Sequence, residues 1–197
     1  MWVRWPPAYR GAVDVVSAAR SADVVVIGAG QAGLAVSQQL ATAGVEHVVL
    51  ERNRVAQAWR GRWDSFSLVT PNWTIRLPGH TYSGDKPEGY LAKDDIVALL
   101  EQYASANQAP VFEGVDVERL DAGPRSGFVL QTTAGELTAR AVVVCSGAFQ
   151  RPHRPAIAAG LPARVPVLDA SEYRNPGDIG PGRVVIVGSG QTGCQLA

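Results

Sequence analysis

The chain has 197 residues, enough for one domain or one and a fraction, and its 46% apolar share supplies a proper core. Lys plus Arg and Asp plus Glu balance at 18 each, which removes the bulk field that nucleic acid or an anionic membrane would require. The only cysteines, Cys145 and Cys194, exclude a disulfide framework and metal-type spacing and point to a reducing compartment, the cytoplasm; no apolar run reaches the roughly 18 residues of a membrane span.

Residues 1–22, MWVRWPPAYRGAVDVVSAARSA, have basic residues but no continuous apolar stretch, and read as a loose tail or a misassigned start rather than a signal peptide. The first domain is expected over 23–149. It opens with a β-branched run at 24–27, of the kind found in strands buried on both faces of a parallel sheet. Gly28, Gly30 and Gly33 follow at G-x-G-x-x-G spacing, with Gln31 and Ala32 between them. Gly28 permits the tight turn, Gly30 lets a pyrophosphate approach the backbone, and Gly33 lets helix and strand pack closely. The following helix, running to Gly44, would point its unpaired N–H groups at the phosphates. A second strand at 47–50 ends at Glu51, followed by Arg52. A carboxylate there is placed to accept hydrogen bonds from ribose hydroxyls. The competing reading is a glycine-rich turn in an unrelated α/β protein.

The stretch 53–93 is long without regular patterning, yet holds three of the five tryptophans, Trp59, Trp63 and Trp73, so it is expected to be ordered. Residues 91–106, LAKDDIVALLEQYASA, form an amphipathic helix with Asp94 as its cap and Ile96, Leu99, Leu100 and Tyr103 on one face. Strand-like segments at 115–120, 128–132 and 137–139, separated by the turns DAGPRSG and TAGE, make an antiparallel meander. The main sheet then resumes at 141–145 and ends in Ser146-Gly147, where backbone can approach a ligand. The proline-rich stretch 150–182 reads as an inter-domain crossing. From 183 the first signature recurs: a β-branched run at 184–187, then Gly188, Ser189, Gly190, Gln191, Thr192 and Gly193. This second copy reads as the truncated beginning of another nucleotide domain. The alternative is a last strand pairing at the edge of the first sheet. His47, His80 and His153 show no metal spacing, and Cys194 reads as a small packing residue.

VVVIGAGQAGLA, Glu51, WRGRWDSFSLVTPNWTIRLPG, VVVCSGAFQRPHRP and SEYRNP before GSGQTG resemble the flavin-containing monooxygenase-like oxidoreductases, two-dinucleotide-domain flavoproteins, over 23–197. The resemblance implies a Rossmann-like, three-layer α/β FAD-binding domain with a mostly parallel sheet of order 3-2-1-4, a meander insertion, and the start of a Rossmann-like NAD(P)-binding domain. It places FAD on Gly28, Gly30, Gln31, Ala32, Gly33, Glu51, Arg52, Trp59, Trp63, Val117, Ser146 and Gly147. NADPH or NADH falls on Gly188, Ser189, Gly190, Gln191, Thr192 and Gly193. Arg62, Thr70 and Asn72 are further types that could meet the flavin ring, while core filling is the equal alternative for the tryptophans. The implied activity is hydride transfer to FAD and oxidation of a small organic substrate with oxygen. A non-oxygenating reductase or dehydrogenase and an inactive fragment are the other readings. One departure stands out. Aligned on Tyr173, the F-x-G-x-x-x-H-x-x-x-aromatic linker signature finds Ala163, Val165 and Asp169, so its histidine is missing. Asp169 is read as an exposed loop residue, not a catalytic acid.

Overall fold

Short β-branched strands buried on both faces build the centre of the molecule. The computed structural model describes residues 21–123, 127–148 and 151–197. Strand β1, Ser21–Ile27, begins two residues before the boundary read from the sequence, because Ser21 and Ala22 pair with Thr138 and Ala139. The remaining tail lies outside the described residues. Helix α1 (Gln31–Thr42), β2 (His47–Glu51), the one-turn α2 (Gln57–Arg60) and a two-stranded hairpin, β3 (Arg76–Leu77) with β4 (His80–Thr81), come next. Helix α3 (Lys93–Ala106), β5 (Val111–Glu113), β6 (Val117–Ala122), β7 (Phe128–Thr132) and β8 (Gly135–Val144) complete the main body.

The six-stranded sheet has the order β5-β2-β1-β8-β7-β6. Strands β5, β2, β1 and β8 are mutually parallel, and these four, taken in chain order, have the expected 3-2-1-4 arrangement. β5 was not foreseen: three residues between Pro110 and Gly114 are too short to show a period, yet Phe112 is 3% exposed and completes the sheet. The two segments expected at 137–139 and 141–145 are one continuous strand. Its first half pairs antiparallel with β7, and its second half pairs parallel with β1.

Residues of one strand alternate between two cores. Val25, Val48 and Leu50 pack with Phe112, Leu130 and Leu137, so the meander folds over one face of the parallel sheet. Val26 and Val49 pack with Leu34, Ile96, Val97, Leu100 and Tyr103 of α1 and α3 on the other. Two helices, sheet and meander are the three layers. Asp94 does not cap α3: the N-cap is Ala92, and Asp94 and Asp95 sit in the first turn, where negative charge suits the helix dipole. His80 is in β4 with its ring edge-on to Tyr103. No helix among the described residues is long and apolar enough to cross a membrane.

Beneath α1, His47 is 6% exposed. Its Nδ1 lies 3.0 Å from Val45 O, and a carbonyl only accepts, so Nδ1 carries the proton. Nε2 of the neutral ring then accepts from Ser37 Oγ at 2.8 Å. Burial lowers the His47 pKa below its ordinary 6.5. The unfolded chain therefore binds the extra proton first. Stability from this pair is complete above pH about 6.5 and falls as pH drops through the depressed value. Urea midpoints measured between pH 7.5 and 5 should decline toward acid, and His47→Gln should flatten that decline.

Candidate functional site

The carboxyl ends of the four parallel strands lie on one side of the sheet, and several of the residues singled out in the sequence stand at or just after them. Ile27 is level with Leu50 and with Val144, and Glu51 with Glu113. The order reverses between β1 and β8, which makes their carboxyl ends the crevice where open α/β sheets take ligands. The 28–33 turn leaves β1, Glu51 ends β2 with Arg52 directly after it, and Ser146 and Gly147 follow β8. Val117 opens β6 just past Val115, whose N–H donates to Glu51 O at 3.0 Å.

The three glycines of the turn are needed for different reasons. Gly28 has φ +104, and a Cβ there would stand 2.6 Å from Cys145 O. A Cβ on Gly33 would lie 1.8 Å from Gly28 O, so α1 crosses the turn in backbone contact. Gly30 differs: its φ of −82 suits any residue, and a Cβ there would meet nothing within 4 Å. Neither backbone strain nor packing requires glycine at position 30. The open space above it is what a close-approaching ligand needs. Gly30 is also the N-cap of α1 and makes no side-chain cap bond, with Gln31 and Ala32 exposed in the first turn.

Glu51 faces this turn. Its Oε2 accepts from Ala29 N at 2.9 Å and its Oε1 from Asn53 N at 2.9 Å, while the residue is 8% exposed. Each oxygen keeps a second lone pair for a sugar hydroxyl. The turn has two further supports that sequence reasoning missed. Ala56, fully buried in the left-handed region at φ 62, donates its N–H to Ala29 O at 3.1 Å. Glu113 Oε1 accepts from Val55 N at 2.7 Å. Nothing in the sequence marks Ala56, which reads as an ordinary helix former.

The 53–93 stretch is ordered, as expected. Trp63 is 1% exposed and edge-on to Phe66, the core-filling alternative, and its indole N–H is buried without an acceptor among the described residues. Trp59 is half-buried and also packs on Phe66; Trp73 is 51% exposed. The Asn72 amide is committed elsewhere: Nδ2 donates to Lys86 O and Oδ1 accepts from Leu91 N, tying down the loop between them. Arg62 lies over the Phe66 ring and Thr70 is exposed.

The second glycine motif repeats the geometry of the first without its setting. Gly188 has φ +118, and a Cβ on Gly193 would stand 2.0 Å from Gly188 O. Gly190 again has open space and caps a six-residue helix, α4 (Gln191–Leu196), with Ser189 before it and Thr192 inside it. Residues 184–187, expected as a strand, have no strand partner among the described residues, and Val185 and Val187 are at least 80% exposed. They do not join the edge of the first sheet. A β-branched run forms a strand only where a neighbour supplies the ladder, and none of the described residues does so here. Asp169 is not an exposed loop residue: its side chain is 17% exposed and is paired with Arg154 at 2.9 Å.

Fold and turn together define a Rossmann-like α/β domain of the dinucleotide-binding type. The family model described as pyridine nucleotide-disulphide oxidoreductase matches residues 25–197, and the chain belongs to that family. Within it, the chain groups with the flavin-monooxygenase-like FAD/NAD(P)-dependent oxidoreductases, as its relatives show. It is 39% identical to a CzcO-like oxidoreductase of Geobacillus kaustophilus, over 89% of this chain and 50% of that protein. It is 32% identical to the indole-3-pyruvate monooxygenase YUCCA1 of Oryza sativa, over 88% and 43%. A doubly substituted flavin monooxygenase from Stenotrophomonas maltophilia superposes with a TM-score of 0.78 at 28% identity, over 89% and 53%. The chain thus spans about half the length of the curated relatives it matches.

Proposed function

We propose that this chain is the FAD-binding part of an NAD(P)H-using flavoprotein monooxygenase acting on a small organic substrate with oxygen. The observation that carries the reading is the pairing of an open Gly30 with a Glu51 carboxylate turned toward the same loop. In this reading the amides of 28–33 hold the diphosphate, Glu51 accepts from the adenosine ribose, and Arg52, Val117, Ser146 and Gly147 border the cofactor on the same edge. In the same reading Trp59, half-buried against Phe66, borders the flavin side. FAD held there would supply the hydride-accepting chemistry that links reduced nicotinamide to an acceptor. The protein's own groups orient the two nucleotides and keep water out.

The second motif is assigned to NADPH or NADH through Gly188, Ser189, Gly190, Gln191, Thr192 and Gly193. Its support is the repeated turn geometry and the family. A second reading, a non-oxygenating reductase, is favoured by Asp169 standing where the related signature has histidine and being bound to Arg154.

Purified chain reconstituted with FAD should be yellow with a flavin spectrum, and bleaching on anaerobic addition of NADPH would separate a reducible flavoprotein from a passive one. Gly30→Ala is the sharper test. Its melting should match the parent within about 1 kcal/mol, while FAD affinity falls at least about tenfold because the methyl enters the ligand's space. Unchanged affinity would remove the site from this turn.

A further inference from the structure

Among the described residues, hydrogen bonds tie the segment after the sheet to the body of the protein at Asp64 and at Ser67, three residues apart. The backbone N–H of Asp64 donates to Arg174 O at 2.7 Å. Its carboxylate divides between two elements: Oδ1 accepts from Lys93 Nζ at 3.0 Å at the start of α3, and Oδ2 accepts from Asn175 Nδ2 at 2.9 Å. The hydrogen bonds from Lys93 and Asn175 hold the Asp64 carboxyl below the usual carboxylate range. Asn175 is itself fixed. Its Oδ1 accepts from Gly177 N, and Asp178 Oδ2 returns the bond by accepting from Asn175 N, forming a capping box around the short 3-10 turn Pro176–Asp178. Both ends of the Asn175 amide are therefore used, one for its own turn and one for Asp64. Thirteen residues later the chain reaches the second glycine turn, and Gln195 Nε2 of α4 donates to Ser67 O at 2.9 Å.

We infer that Asp64 is a positioning residue, a latch that fixes the second glycine turn and α4 against the aromatic segment carrying Trp59, Trp63 and Phe66. A six-residue helix with no buried side chain cannot hold its place alone. Its location is set by the Asp64–Asn175 anchor on one side and by Gln195–Ser67 on the other. Lys93 ties the anchor to α3, whose Ile96, Val97 and Leu100 lie in the helix-side core. The latch thus refers the second turn to the rigid sheet. Its bearing on hydride transfer between two nucleotides rests on the function proposed above; the latch itself does not.

Hydrogen exchange on the intact chain tests this without any cofactor. Asp64→Ala should speed exchange of the 172–179 and 191–196 amides about tenfold or more, while β1 and β8 amides keep their parent rates. Asn175→Asp keeps the cap acceptor for Gly177 N but sets a carboxylate against Asp64, and should open the same two segments. The double variant, Asp64→Asn with Asn175→Asp, restores one donor and one acceptor: the amide then at position 64 donates to the carboxylate at 175 and still accepts from Lys93. Its exchange should return to within about threefold of the parent. A purely structural loss at either site would not be rescued by the exchange of groups. Parent rates at 191–196 in Asn175→Asp, or no recovery in the double variant, would overturn the latch. Should Asp64→Ala loosen the sheet as well, Asn175→Asp decides, since position 175 lies outside both cores. Failure here with intact FAD binding would remove the latch and leave the functional reading standing.

Discussion

Gly33→Ala is expected to abolish FAD retention and to lower stability by more than about 3 kcal/mol, read from the shift in urea midpoint. The added carbon would stand 1.8 Å from Gly28 O and 3.0 Å from its carbonyl carbon. Both atoms belong to a turn that cannot move aside. Gly28 N donates to Leu50 O at 2.7 Å, and Cys145 N donates to Ile27 O at 2.8 Å, so the turn is tied to the strands on both sides of β1. Relief would require lifting α1 and uncovering Leu34, which is 1% exposed. Gly193→Ala is the matched control. It makes the same collision, at 2.0 Å from Gly188 O, but in a helix with no buried residue. Its midpoint should therefore stay within about 0.5 kcal/mol of the parent. Equal losses in the two variants would show that the seat of the first turn in the sheet is not what makes Gly33 indispensable.

Glu51→Ala should cost about 1–3 kcal/mol of stability for the Ala29 N–H it strands, and less for that of Asn53, which is exposed to water. Ala29 is fully buried, so water cannot replace the lost acceptor there. FAD affinity should fall further, by roughly 10- to 150-fold, the worth of one charge-assisted hydrogen bond to a ribose hydroxyl. Glu51→Gln separates the two effects. The amide keeps one acceptor for the protein and turns an NH2 group toward the other N–H. It should lose about half the stability of the alanine variant yet a similar share of FAD affinity. Calorimetric FAD titration alongside denaturation measures both. An alanine variant that binds FAD like the parent would place the ribose elsewhere.

The sequence showed the first glycine turn clearly because its determinants are local: three glycines, a β-branched strand before them and a carboxylate at the next strand end. The 3-2-1-4 order followed from the same unit. Less local features were hidden. β5 is three residues long, and its membership in the sheet depends on β2, some sixty residues earlier. The roles of Ala56, Asn72 and Asp64 are hydrogen bonds to distant backbone or side chains, and no periodicity records such partners. Asn72 illustrates the difficulty. Its type suits a ligand contact, but its burial and its bonds to Lys86 and Leu91 serve the loop. The second glycine run misleads in the opposite direction: its turn forms as written, while 184–187 do not become a strand, because a strand needs a neighbour and a turn does not.

The double allegiance of β8 carries a consequence for how the molecule assembles. Its first half is half of a hairpin closed at Thr132–Gly135, with Thr132 Oγ1 donating to Gly135 O at 2.7 Å and Gly135 at φ +109. Such a hairpin forms in microseconds, long before a pairing between β1 and a segment more than a hundred residues away can close. Its register is therefore inherited by the slower encounter with β1. A tight bend about 30 Å from the cofactor edge acts as the ruler that decides where Ser146 and Gly147 come to rest. A slip of one residue at that bend would turn every side chain of β8 to the wrong face, and the crevice would be misbuilt before any nucleotide arrived.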